Sequence, residues 1–282
     1  MSGPIFRPLD RNRTLSVTLA PELPCSWPGR GVGNHRQPYV TLNVGMNANT
    51  KAPFEYHMLD SHAGTHLVPP AYALPPSGFD NASYPPQVRQ WLRDYENRYG
   101  RRGTSDVTAE QVPLAQTCGP VRIIDVTRLA GTIPQDQWPA SPEIKPADIV
   151  AHEKQHGELK PGEIVVFRSG WSDRHYRPFS AGNACLSDPL NGKSEGWPAP
   201  GPDAIFYLVR KGIRCVGTDG PTLGGVDPKR ALMTYWALAG KGLVGVEFLT
   251  NLANLPRGAY FLFAAPKIKG CHGGPGRAIA LY

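Results

Sequence analysis

Residues 57–72 read HMLDSHAGTHLVPPAY. His62 and His66 stand four apart, on either side of Ala63-Gly64-Thr65. Neutral imidazole is the commonest metal ligand. On a helix the two rings would share a face, but Gly64 and Pro69-Pro70 argue against a continuous helix. A tight turn through residues 63–65 can still bring the rings together. Gly64 permits a positive φ or a close backbone approach, and Thr65 can orient a ring or a bound water. Two hydrogen-bonded structural histidines in a loop satisfy the same spacing. A metal would also want a carboxylate nearby, and the next residues are Leu67, Val68, Pro69 and Pro70.

The chain on both sides alternates strand and helix signals. TLSVTLAP (14–21) alternates apolar and polar residues, PYVTLNVGM (38–46) is β-branched, and LPCSWPGRG between them is turn chemistry. In QVRQWLRDYENRY (87–99), Val88, Trp91, Leu92 and Tyr95 fall at helical spacing before Gly100. VRIIDVT, GEIVVFRSGW, RCVGTDGP, GLVGVEFLTNL, AYFLFAAPKI and the terminal RAIALY read as strands. PADIVAHEKQHG and DAIFYLVRKGI read as helices, the second closed by Gly212. Asp227-Pro228 is an N-cap and N1 pair that opens a helix over RALMTYWALAG. Residues 172–200, rich in Gly, Asn, Ser and Pro, read as a long irregular loop of the kind that serves as a lid or binding loop. The alternation predicts an α/β fold in one domain, residues 1–282.

The formal net charge of +7 mildly favours anionic ligands. The basic residues are scattered, and the densest run (98–102) has no interleaved aromatic platform, which argues against nucleic acid. Five separated cysteines with no CxxC argue against a disulfide framework and a four-ligand zinc site. No 18-residue apolar run occurs, and MSGPIFRPLDRNRT lacks an apolar core, so no membrane partner is expected and a cytoplasmic setting is the default. No GxSxG elbow or catalytic cysteine context is present.

SHAGTHLVPPAY resembles the HxGTHxDxPxH signature of the cyclase-like metal-dependent hydrolases, the family of bacterial kynurenine formamidase and isatin hydrolase. TLSVTLAPELPCSWPG is similar to that family's first strand and turn. GEIVVFRSGWSDR, IRCVGTDGPTLGG, VGVEFLTNLANLP and GCHGGPGRAIAL resemble four later segments in the family's order. The resemblance implies an α/β fold of the swivelling β/β/α type, a single domain with a mixed β core, and a homo-oligomer (dimer or tetramer).

In that family both motif histidines and the Asp hold one metal. The Asp bridges to a second metal held by a later His and a Glu, and the last motif His moves protons. Carried over, His62 and His66 match the first two ligands and Glu247 matches the Glu. Val68 stands at the Asp, Tyr72 at the last His and Tyr235 at the second-metal His. Valine cannot ligate, so the resemblance implies at most one divalent ion, zinc or manganese, held by His62, His66 and Glu247, or none at all. Asp60, His57 or His272 are alternative third ligands.

Tyr72 and Tyr235 are poor bases, with an ordinary pKa near about 10, and better donors to a developing oxyanion. His57, Glu247 or His272 would then move protons. Glu247 lies inside the apolar run VGVEFL, where a carboxylate must be paired. Arg277 is a candidate for binding a carboxylate. Asp219 reads as a structural strand-end acid, and His152, His156 and His175 as surface residues. The expected function is metal-assisted hydrolysis of a small cyclic or acyl amide or lactone, of which an anionic one would suit the charge. The alternatives are a metal-independent acid/base cyclase, isomerase or lyase, and a non-catalytic binding relative.

Overall fold

The computed structural model describes residues 12–20, 22–25, 27 and 39–282; residues 1–11 and most of LPCSWPGRG lie outside the described residues. In chain order the strands are β1 (Asn12–Thr14), β2 (Tyr39–Met46), β3 (Pro53–Leu59), β4 (His66–Val68), β5 (Cys118–Asp125), β6 (Glu143–Ile144) and β7 (Ile164–Arg168). β8 (Ala199–Pro200), β9 (Cys215–Thr218), β10 (Val244–Glu247), β11 (Tyr260–Ala264), β12 (Gly274–Pro275) and β13 (Arg277–Leu281) follow. The α-helices are α1 (Pro70–Ala73), α2 (Pro86–Tyr99), α3 (Leu114–Thr117), α4 (Pro146–His156), α5 (Trp171–His175), α6 (Ser187–Leu190), α7 (Pro202–Arg210) and α8 (Pro228–Ala239).

The three most continuously apolar runs become the centre of one nine-stranded mixed sheet, ordered β1-β13-β11-β5-β7-β9-β10-β4-β12. β5, β7, β9 and β10 are parallel, and every residue of β9 and β10 is buried. Strands covered on both faces read as unbroken apolar runs for this reason. Antiparallel strands complete the sheet on both sides. On one face, α2, α4, α7 and α8 bury Leu92, Ile149, Leu208 and Trp236 against Ile124, Val165 and Val216. On the other, Val121, Val166 and Val246 pack with Phe261 and Phe263.

Helix boundaries follow the local chemistry. Asp227 accepts from the Arg230 amide at 2.6 Å and Pro228 opens α8. The expected strand over 14–21 is corrected: the ladder ends at Thr14, and beyond it only Ser16 forms an isolated bridge, to Leu249. The alternation survives without the ladder, because Leu15 and Val17 are buried and the Val17 amide donates to Thr65 Oγ1 at 3.0 Å. The strand expected over 242–252 stops at Glu247, since Phe248 and Asn251 turn to positive φ.

The loop reading of residues 172–200 is also corrected. α5, a 3-10 turn (Ala181–Cys185), α6 and β8 occupy it. Trp171, Cys185, Leu186 and Trp197 form a third core cluster with Val17 and Phe248. The short helices escape a periodicity search because each is under two turns long.

β2 and β3 form a separate hairpin. Leu42 pairs with Tyr56, which puts them on one face with Phe54 and Met58, and these four are 47–64% exposed. A two-stranded ribbon with an uncovered apolar face is marginal in water on its own.

His152, expected at the surface, is half-buried on α4. Burial pushes its imidazole down to about 4, with His156, Arg122 and Arg257 adding repulsion. The unfolded chain takes up this proton near the ordinary 6.5, and the folded chain refuses it until about 4. The residue therefore costs stability as pH falls from about 6.5 towards 4. The difference in melting temperature between the parent and His152→Gln should show that slope, and a flat difference curve would contradict it.

Candidate active site

The register of β4 against β10 builds the site. His66 pairs directly with Glu247, Leu67 with Val246, and Val68 with Gly245. His66 and Glu247 therefore project side by side, at the carboxyl end of a central parallel strand. His66 is 3% exposed and Glu247 2%. His66 Nε2 lies 3.2 Å from Glu247 Oε2. His66 Nδ1 lies 2.8 Å from the Gly64 carbonyl oxygen. A carbonyl only accepts, so Nδ1 carries hydrogen. Nε2 is left facing the carboxylate.

The second carboxylate oxygen is fully engaged. Glu247 Oε1 accepts from the Leu223 amide at 2.7 Å and from the Tyr235 hydroxyl at 2.6 Å. Tyr235 stands on α8, and burial, followed by the charge of Glu247, pushes its hydroxyl well above the usual tyrosine range. It stays a neutral donor. The polar residue expected in the apolar run is thus buried and paired.

The turn before β4 behaves as its glycine requires. Gly64 has φ +56°, and a side chain there would overlap Leu19 Cδ2. The Gly64 amide donates to the Cys25 carbonyl at 2.6 Å, and Thr65 Oγ1 donates to the Phe248 carbonyl at 2.6 Å. This turn brings the rings of His62 and His66 to 5.1 Å, edge to face. His62 Nδ1 lies 3.0 Å from Ser61 Oγ, while its Nε2 is buried and has no hydrogen-bond partner. Tyr72, on α1, lies 4.4 Å from the His62 ring and 5.6 Å from that of Tyr235.

These groups open into one cavity of about 460 Å³. Trp27, Leu186, Leu232 and Phe248 supply apolar walls, and His62, His66, Tyr72, Thr222, Tyr235 and Glu247 supply the polar ones. Thr222 Oγ1 is buried beside the Tyr235 hydroxyl. No Lys or Arg lines the cavity among the described residues. Residues that follow the ends of β9 and β10 (Pro221, Thr222, Phe248) were not singled out by the sequence. The rule that ligands sit at the carboxyl ends of parallel strands would have found them.

The remaining candidates lie elsewhere. His272 is exposed in the loop before β12, and Arg277 is exposed on β13. His57 is exposed on β3, 3.8 Å from Glu55. Asp60 is a turn residue whose Oδ1 accepts from the His62 amide at 2.9 Å. Asp219 is structural, as its place at a strand end suggests. It accepts from the Ser169 amide at 2.8 Å, Ser169 Oγ at 2.6 Å and the Gly170 amide at 2.6 Å.

The donor set does not fit a metal ion. Catalytic zinc sites use three protein ligands. Among the described residues no three His, Cys, Asp or Glu side chains converge as a cage. His66 and Glu247 approach each other, but His62 does not complete a set with them. Its Nε2 edge instead lies 2.7 Å from where a Cβ on Gly273 would stand. Val68, where a carboxylate would be needed, is 0% exposed and packs beside Gly245 in the core.

A family model described as "Putative cyclase" matches residues 14–224. The isatin hydrolase of Roseibium aggregatum is 28% identical over 256 residues, covering 86% of this chain and 81% of that protein. The kynurenine formamidase of Salinibacter ruber is 29% identical over 177 residues, covering 60% and 66%. The solved structure of isatin hydrolase A from Labrenzia aggregata, bound to benzyl benzoate, superposes with a TM-score of 0.68 at 22% identity, over 96% of this chain and 93% of that one. A potential metal-dependent hydrolase with cyclase activity gives 0.58 at 18% identity, over 96% of each.

Proposed function

The chain belongs to the cyclase family, and from that membership we propose that it hydrolyses a small, largely apolar cyclic or acyl amide or lactone in the cavity at the end of β10. One observation carries this reading. A single buried carboxylate, Glu247, is held by Tyr235 and the Leu223 amide beside His66, in a cavity whose other walls are largely apolar. The names of the two curated relatives support amide hydrolysis as the reaction class.

The residues assign themselves roles by their hydrogen-bonding capacity. The Tyr72 hydroxyl, on a ring that lines the cavity beside His62, donates to the oxyanion that develops on the substrate carbonyl. Glu247 accepts the proton of the attacking water as its oxygen bonds to the carbonyl carbon. His66 delivers a proton to the leaving nitrogen or oxygen as that bond breaks. The apolar walls exclude other water. No step is routed through a metal, because the donor set does not fit one.

The test is a panel of a bicyclic aromatic lactam, an N-formyl arylamine and an aryl lactone, followed by mass spectrometry. A product heavier by one water is expected from at least one of them. A product of unchanged mass would move the reading to a cyclase or isomerase, and no product from any would overturn it.

The second partner we propose is another copy of the chain, seated on the β2–β3 hairpin. Leu42, Val44, Met46, Phe54, Tyr56, Met58 and Leu59 are 46–64% exposed there. Together they present on the order of 700 Å², near the roughly 800 Å² that each partner gives to a standard interface. Light scattering should give a mass of two or more chains, and Tyr56→Lys with Met58→Lys should return it to one. A monomeric parent would refute this.

A further inference from the structure

We propose that this cavity works without a resident metal ion, because its would-be ligands are committed to hydrogen bonds and packing that leave no cage of three donors among the described residues. Four positions argue for this independently of which bond is cleaved. Glu247 Oε1 is saturated by the Leu223 amide and Tyr235, which leaves one oxygen to offer, and that oxygen faces His66. His62 is held by its neighbours, with its Nε2 2.7 Å from where a Cβ on Gly273 would stand.

Val68 is the third position. It stands two residues beyond His66 on the same face of β4, paired with Gly245 and packed in the core with Leu223. Leu223 Cδ1 and Val68 Cβ would lie 2.9 and 3.3 Å from a Cβ on Gly245, so the valine occupies a tightly filled apolar site. A carboxylate there would be desolvated without a partner unless a cation came with it. The fourth position, Tyr235, closes the other side. Its hydroxyl donates to the very carboxylate that a metal would need, and a neutral tyrosine hydroxyl is a poor ligand.

Glu247 Oε1 is fully hydrogen-bonded, while the donor set is incomplete as a coordination sphere among the described residues. This reading deepens the proposed hydrolase, but its test does not depend on turnover.

The wild-type chain, purified without chelator, is analysed for metal content and then titrated with Zn²⁺ and with Mn²⁺ by calorimetry. Less than about a tenth of an equivalent retained, and no saturable binding in the micromolar range, are expected for a site short of three ligands. The variant Val68→Asp with Tyr235→His should bind Zn²⁺ at least about tenfold more tightly than the parent. One equivalent retained by the wild type would overturn the proposal, as would activity lost with chelator and restored by Zn²⁺ or Mn²⁺. A folded double variant that binds no better would also overturn it, since Val68 and Tyr235 would then not be what closes the cage. If the double variant does not fold, the wild-type titration decides alone. A wild type that binds no metal and turns over nothing in the substrate panel would sink the hydrolase reading and leave this one standing.

Discussion

Glu247→Gln should lower kcat/KM by about 10²- to 10⁴-fold, the range for loss of a positioned general base. The substitution keeps the shape of the side chain. A Gln oxygen can still accept from the Leu223 amide and from Tyr235. It removes the carboxylate that faces His66 and that would accept the proton of water. Because the amide replaces the charge without leaving a gap, the melting temperature should move far less than the rate. Tyr235→Phe is the companion measurement. It deletes one donor to Glu247 but leaves the carboxylate, so it should cost roughly tenfold, the worth of a single hydrogen bond to a charged group. Steady-state kinetics together with circular dichroism would check both. An E247Q enzyme within about threefold of the parent would remove Glu247 from the chemistry and leave it a buried structural acid.

The largest effect on stability is expected at Asp219, which is outside the cavity. Its carboxylate is 0% exposed and holds three donors from Ser169 and Gly170, where β7 turns into α5. Its own carbonyl accepts from Ser172 Oγ and from the Ser172 amide. Burial raises its carboxyl to about 6, against the pull of those donors. Asp219→Ala would strand two backbone amides and a hydroxyl in the core and open a void. Each unsatisfied group costs about 1–3 kcal/mol, so a total on the order of 3–5 kcal/mol is expected. Much of the stability of an ordinary domain would go with it. Chemical denaturation should show the midpoint falling sharply or the chain recovered only as aggregate. A loss below about 1 kcal/mol would mean that the donors find water instead.

Two residues show how far sequence reasoning reaches here. Gly64 was legible, because a glycine between two histidines and before two prolines forecasts a turn, and positive φ is a local property of the backbone. His272 was not. It sits in a glycine-rich segment that resembled a site loop, yet the fold leaves it exposed, since the direction of a loop side chain depends on what packs around it. The region 172–200 misled for a similar reason. Its short helices hold together by packing Trp171, Leu186 and Trp197 into a cluster with distant residues, and no local period records that.

The sequence by itself determined the chemical inventory: a turn with paired histidines, a carboxylate in an apolar strand, a valine where a ligand would stand, and the α/β alternation. All of these are local or compositional, so they are written in consecutive residues. Only the tertiary structure decided what the inventory becomes. The antiparallel register of β4 on β10 places His66 opposite Glu247 across some 180 residues of chain, and α8 then brings Tyr235 onto the same carboxylate. Hydrogen bonds are directional and saturable, so that arrangement spent the carboxylate on donors. It turned a set of possible ligands into a hydrogen-bonded carboxylate beside a buried histidine.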